Sequence, residues 1–211
     1  MTPGVELQAE DHMNIELARI IVTEIDNRVI ANAQTLTELD QAIGDGDHGH
    51  NMQRGFDAVL KDIDNLSQEG TADFLRKVGT LLVMKIGGAS GPLYGTLFMS
   101  LGKSWPETVN RDSLGQCLQA AVSAVAARGK SQVGQKTMLD VLHPVVEGFC
   151  QGDDLATLRQ AAIDSAQATV MMQAERGRAS FLKERSVGHM DPGAKSSLLM
   201  IETICDVLEK V

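Results

Sequence analysis

From Asn14 to Ile43 the apolar positions Ile15, Ala18, Ile21, Val22, Ile25, Val29, Ala33, Leu36 and Leu39 recur three or four residues apart. That spacing lines one face of a helix and predicts one or two amphipathic helices over the segment. Further helices are predicted from Asn51 toward Leu66, from Ala72 to Ile86, and from near Pro92 to the Trp105-Pro106 pair. Asp112-Ser113 reads as the N-cap of an Ala-rich helix, Leu114 to Ala127. Thr137 can cap a helix that carries an internal His143-Pro144, and Asp153 or Asp154 can cap a stretch running to Glu175. Asp191-Pro192 then opens a last helix to Lys210. β-Branched residues never alternate over a strand-length window, so the pattern predicts an all-α fold: a bundle of about eight antiparallel amphipathic helices.

Between these helices sit clusters of glycine: Gly44 to Gly49, Gly87 to Gly91, Gly129 to Gly134, Gly177, and Gly188 to Gly193. In an antiparallel bundle such connections gather at the two ends. An end that collects several of them is rich in free backbone N–H groups at helix N-termini, which is what an anionic phosphate requires.

Composition narrows the function. With 211 residues, 43 % of them hydrophobic and 22 % charged, the chain suits one globular domain spanning residues 1–211. Its net charge of −9, with Lys and Arg scattered, speaks against a nucleic-acid ligand. No apolar run approaches the roughly 20 residues that span a bilayer. Residues 1–10 hold Glu6 and Glu10 and no basic residue, unlike a secretory signal. Cys117, Cys150 and Cys205 are odd in number, far apart and set in apolar, helix-like stretches, which reads as buried thiols rather than bridges or metal ligands, in a reducing cytoplasm.

The sharpest chemical feature is Asp40-Gln41-Ala42-Ile43-Gly44-Asp45-Gly46-Asp47-His48-Gly49. Three carboxylates at the end of a helix and in a glycine turn offer the oxygen ligands a hard cation takes, and can hold two Mg²⁺. The alternative is a solvated acidic turn. An EF-hand does not fit, because counting from Asp45 puts His50 at the required glycine and Phe56 at the closing glutamate. His48 and His50 lack the cysteine pair that would suggest zinc. Gly87-Gly88-Ala89-Ser90-Gly91-Pro92 reads as a helix start able to cradle a phosphate, or as glycines that only allow close packing. Gly129-Lys130-Ser131-Gln132-Val133-Gly134-Gln135-Lys136-Thr137 departs from a P-loop by one residue and follows a helix rather than a strand. Lys130 and Lys136 therefore read as solvated loop charges, either of which can reach a phosphate. Arg178 offers a bidentate phosphate contact, whereas Arg176 and Arg185 read as surface charges at helix ends.

Taken in order, Asp40-x4-Asp45-Gly46-Asp47-His48-Gly49, Asn51-Met52, Gly87 to Leu93, Gly95-Thr96, Arg128-Gly129-Lys130, Lys136-Thr137-Met138, Gly177 to Ser180 and Gly188 to Ala194 resemble the nucleotide-binding subunit family of dihydroxyacetone kinases, and the matching C-terminal domain of single-chain members. The resemblance covers nearly the whole chain. It implies a barrel of eight antiparallel helices with the nucleotide at one end. Asp40, Asp45 and Asp47 would hold two Mg²⁺ on the phosphates of bound ADP. His48, Gly49, His50 and Asn51 would line the site, with His50 standing where relatives commonly carry an apolar residue. Ala89 and Ser90 would contact phosphate, Gly129 and Met138 the adenine side, and Arg178, Asp191, Pro192 and Gly193 would close the site.

The same resemblance implies partners. The ketone is held on a separate kinase subunit, and in the phosphotransferase-linked version a phosphohistidine-bearing subunit rephosphorylates ADP in place. A stand-alone chain of this length looks like that version. The alternatives are an ATP-dependent ketose kinase subunit with exchanging nucleotide, and a nucleotide-bound regulatory module that docks on a transcription regulator.

Overall fold

The computed structural model describes the backbone of residues 3–211 and the side chains of residues 15–211. Nine α-helices follow one another among these residues: α1 (Pro3–Ile43), α2 (His48–Lys61), the single-turn α3 (Ile63–Leu66), α4 (Thr71–Lys85), α5 (Ser90–Ser104), α6 (Arg111–Gly129), α7 (Leu139–Gln151), α8 (Leu155–Ala168) and α9 (Pro192–Leu208). Two 3-10 stretches, Thr169–Met171 and Arg178–Ser186, lie between α8 and α9, and no strand occurs among the described residues. Setting α3 aside, eight helices pack in sequence order and the last returns to the first: α1 on α2, then α4, α5, α6, α7, α8, α9 and back to α1. The expected eight-helix barrel is thus observed, with α3 a short elbow between α2 and α4.

Its interior is filled. Val22, Ile25 and Val29 of α1, Met52, Phe56 and Val59 of α2, Phe74, Val78 and Leu82 of α4 and Leu198 and Ile201 of α9 belong to one buried cluster. Phe56 meets Phe98 of α5 edge-to-face at 6.3 Å, a favoured aromatic geometry. Gly49 lets α1 and α2 approach closely, since a Cβ there would stand 1.9 Å from the Ala33 carbonyl oxygen. Among the described residues no helix is long and apolar enough to cross a membrane.

Several boundaries differ from the sequence reading. α2 begins at His48 rather than Asn51, and α5 at Ser90, which leaves Pro92 inside the first turn where its missing N–H costs nothing. α6 is capped by Asn110, not by Asp112-Ser113. Asn110 Oδ1 accepts from Ser113 N at 2.9 Å, and Asn110 N donates to Ser113 Oγ at 3.0 Å, a reciprocal capping box. α8 starts on an Asp154 cap as expected but ends at Ala168, well short of Glu175. Beyond it the carbonyls of Thr169 and Met172 accept from the side chain of Lys136.

Candidate functional site

Because consecutive helices alternate direction around the ring, four connections share one end: α1–α2, α4–α5, α6–α7 and α8–α9. The N-termini of α2, α5, α7 and α9 open there onto a cavity of about 390 Å³ that draws its walls from all four connections. Four helix N-termini around one concavity favour negative charge inside it through their aligned dipoles.

On one side lie Asp40, Asp45 and Asp47. One carboxylate oxygen from each falls within 4.8 Å of the others, with Asp40 buried and the other two exposed. Asp40, in the last turn of α1, also starts α2: its Oδ2 accepts from the backbone N of Asp47 at 2.9 Å and of His48 at 3.1 Å. The Asp47 side chain makes no cap bond of its own and is left facing the cavity. Gly44 makes room for this arrangement, since a Cβ there would lie 2.1 Å from Asp40 Oδ1. Three oxygen donors of this kind suit a hard divalent cation, and like charges so close are favoured by one.

Behind the carboxylates a polar relay runs into the barrel. His48 Nδ1 is 2.9 Å from Ser90 Oγ and Nε2 is 2.9 Å from Ser196 Oγ. Tyr94 continues the chain, its hydroxyl 2.6 Å from Ser196 Oγ and 3.1 Å from Ser197 Oγ. Burial pushes the His48 imidazole down to about 4, against the opposing pull of Asp40 and Asp47. It is therefore neutral near pH 7, with one ring nitrogen donating and the other accepting. This relay fixes the first turns of α2, α5 and α9 against one another.

The opposite wall comes from the α6–α7 loop and from the strap between α8 and α9. Asp140 organises the loop: Oδ1 accepts from Gly134 N at 2.5 Å and Oδ2 from Thr137 N at 2.6 Å. Arg178, on the strap, reaches across the mouth to Asp45, with Nη2 3.2 Å from Oδ2. Asp191 caps α9 by accepting from Ala194 N at 2.7 Å. Burial pushes its carboxyl up to about 7, Asp140 adding to the shift while the Ala194 and Gly193 N–H groups and Lys136 oppose it.

Of the residues singled out in the sequence, Asp40, Asp45, Asp47, His48, Ala89, Ser90, Gly129, Met138, Arg178, Asp191, Pro192 and Gly193 all line the cavity. Gly49, His50 and Asn51 do not. Gly49 packs against α1, His50 is exposed, and Asn51 accepts from Arg54 Nη2 at 2.7 Å through its side-chain oxygen.

Residues 42–206 match the DAK2 domain family. The chain belongs to that family. Over 184 residues this DAK2 domain is 42% identical to the ADP-binding subunit DhaL of a PEP-dependent dihydroxyacetone kinase from Listeria innocua, covering 87% of this chain and 91% of the relative. It is 38% identical over 182 residues to the corresponding subunit from Escherichia coli, covering 82% of this chain and 87% of that one. The crystal structure of the dihydroxyacetone kinase from C. freundii in complex with AMP-PNP and Mg²⁺ shares the fold, with a TM-score of 0.75. At 22% identity the match covers 90% of this chain and 34% of that one.

Two features of the DAK2 domain escape sequence reasoning. Lys136 is not a solvated loop charge: it is 1% exposed and donates to the carbonyls of Thr169, Met172, Ser186 and His189. The Tyr94, Ser196 and Ser197 relay is equally hidden, because each residue reads locally as part of a helix face. Ser196 and Ser197, beside the apolar run Leu198 to Ile201, are the one available signal, since buried hydroxyls need partners.

Proposed function

We propose that this DAK2 domain is the ADP-binding subunit of a PEP-dependent dihydroxyacetone kinase, holding magnesium and ADP in the cavity at the end of its barrel where four helix N-termini meet. The observation that carries the reading is the convergence of Asp40, Asp45 and Asp47 at the mouth of a cavity edged by four helix N-termini. Relatives at 38–42% identity are PEP- or PTS-dependent ADP-binding subunits, and this chain spans 86–93% of their lengths. Packing of α9 back onto α1 supports a single nucleotide-binding domain over residues 1–211.

Asp40, Asp45 and Asp47 would hold two magnesium ions, their oxygen-only donor set fitting the ion. Magnesium held there would neutralise the negative charge of the phosphates. The chain supplies the rest by position. Ala89 and Ser90 present the α5 N-terminus to the phosphates, and Gly129 and Met138 form the adenine side. Arg178 adds a charge at the open edge, and Asp191, Pro192 and Gly193 close the base. No protein nucleophile is required, because phosphoryl transfer is driven by alignment and charge stabilisation. Dihydroxyacetone would be held on a partner kinase subunit, and a phosphohistidine-bearing phosphotransferase subunit would rephosphorylate ADP in place, in the cytoplasm.

A coupled assay with the ketone-binding and phosphohistidine-bearing subunits tests this reading. Wild type should support phosphoryl transfer to dihydroxyacetone, and Asp45→Ala, with its helical circular dichroism intact, should lose it by about a hundredfold or more. Transfer by Asp45→Ala at the wild-type rate would contradict the assignment.

A further inference from the structure

Lys136 sits in the α6–α7 connection in left-handed backbone, φ 60°, a conformation a lysine adopts only when its surroundings hold it there. Its Nζ donates to the carbonyl oxygens of Thr169 at 2.8 Å, Met172 at 3.1 Å, Ser186 at 2.8 Å and His189 at 2.6 Å. An ammonium has three protons, so four acceptors at these distances use all of them and share at least one. None is left for a phosphate. A P-loop lysine works by point contact with the ligand, and this one is committed elsewhere.

The four oxygens belong to three separated points of the strap: its start after α8, the end of the second 3-10 stretch, and the residues just before α9. They surround the ammonium as carbonyl cages surround a bare monovalent cation in place of its hydration shell. Other bonds also tie the strap, Gln135 Nε2 donating to Glu175 Oε2 at 3.0 Å, Arg176 Nε to Gln135 Oε1 at 3.1 Å and Gly188 N to Val170 O at 2.8 Å, but none of them gathers three points of the strap on one atom. Its apolar anchorage is the small cluster of Ala174 and Ala179 on Ile43, with Leu182 beside it, and Met190 against the main core, while Met171 and Phe181 are exposed. Yet the strap supplies Gly177, Arg178 and Ala179 to the cavity wall.

We infer that Lys136 is a positioning residue for the nucleotide, its ammonium serving as a tethered internal cation on which residues 169–190 fold into one wall of the cavity. It thereby sets how long Mg-ADP stays bound. The inference rests on the nucleotide reading above for its ligand, though not for the clamp itself.

Lys136→Met keeps most of the length of the side chain and removes the charge. In hydrogen exchange the amides of residues 169–190 should exchange about tenfold faster or more, with those of α4 and α5 unchanged. Dissociation of Mg-bound N-methylanthraniloyl-ADP, chased with unlabelled ADP, should accelerate by about tenfold or more. Binding of Mn²⁺ to the nucleotide-free protein, followed by electron paramagnetic resonance, should stay within about twofold, because the carboxylates stand on the end of α1 and the turn into α2 and meet the strap through the exposed Arg178–Asp45 pair.

Wild-type exchange in the strap together with a wild-type off-rate would overturn the inference. So would parallel loss of Mn²⁺ binding and of α4 and α5 protection, which would mark general destabilisation. Should Lys136→Met fail to fold, Ser186→Ala removes a tie inside the strap, where Ser186 Oγ accepts from Ala174 N at 2.9 Å and donates to Lys183 O at 2.6 Å. It should also speed dissociation, and an unchanged off-rate would overturn the clamp. If wild type binds no Mg-ADP the proposed function falls, while the exchange experiment still decides the role of Lys136.

Discussion

The Asp40 carboxylate is divided: Oδ2 is spent on the backbone of Asp47 and His48, and Oδ1, beside Gly44, is left for the proposed magnesium. A methyl group at position 44 would collide with that second oxygen, so Gly44→Ala should displace the carboxylate while leaving the barrel helical. We expect Mg-ADP affinity to fall by about tenfold to a hundredfold, the usual cost of misplacing a metal ligand. Calorimetric titration measures it, and unchanged affinity would mean that Asp40 Oδ1 is not a ligand. Away from the site, Asp26 is fully buried between α1 and α2 with both carboxylate oxygens unpartnered. Burial, reinforced by Asp57 and opposed by Lys61, pushes its carboxyl from 3.8 up to about 6. Folding therefore takes up a proton: the group costs nothing below its ordinary range and exacts its full penalty above about 6. Asp26→Asn should raise stability near pH 8 by up to about 3 kcal/mol and lose that advantage near pH 4. Urea unfolding at both pH values tests this, and a pH-independent difference would refute it.

At the scale of elements, the helices with a clean apolar period were legible from sequence, and their ends less so. Ile15, Val22, Ile25, Val29 and Leu36 mark the inner face of α1 as the period predicts. The start of α6 was misread because Asp112-Ser113 satisfies the same local rule as Asn110, and only the reciprocal Asn110–Ser113 bonds distinguish them. Asn110→Ala should cost about 1 kcal/mol in chemical denaturation, whereas Asp112→Ala should cost less. The strap was illegible for a different reason. Thr169 to Glu175 has acceptable helix formers, but the carbonyls of Thr169 and Met172 are claimed by a lysine more than 30 residues earlier in the chain. No local pattern encodes a partner at that separation. For the same cause Lys136 read as a loop charge, although burial of an ammonium requires such an oxygen cage.

For the whole molecule, closing the ring between α9 and α1 turns four separate glycine-rich connections into one site. The acidic turn, the Ala89-Ser90 helix start, the Gly129 loop and the Asp191-Pro192 start are far apart in sequence. Alternation of helix direction puts them at the same end. Glycine placement and about eight antiparallel helices made a shared end an expectation, and the resemblance to the kinase family supplied the ligand proposed for it. What sequence left out was the depth of the site: the relay from Ser90 through His48 and Ser196 to Tyr94 ties three helix N-termini together beneath the carboxylates. A magnesium nucleotide retained at this end of the barrel should still be present in the purified protein. Acid denaturation followed by chromatography, with magnesium assayed on the same sample, should release near-stoichiometric ADP and magnesium, because slow dissociation carries a tight ligand through purification. A protein that releases no nucleotide, and binds none when titrated with Mg-ADP, would contradict the account.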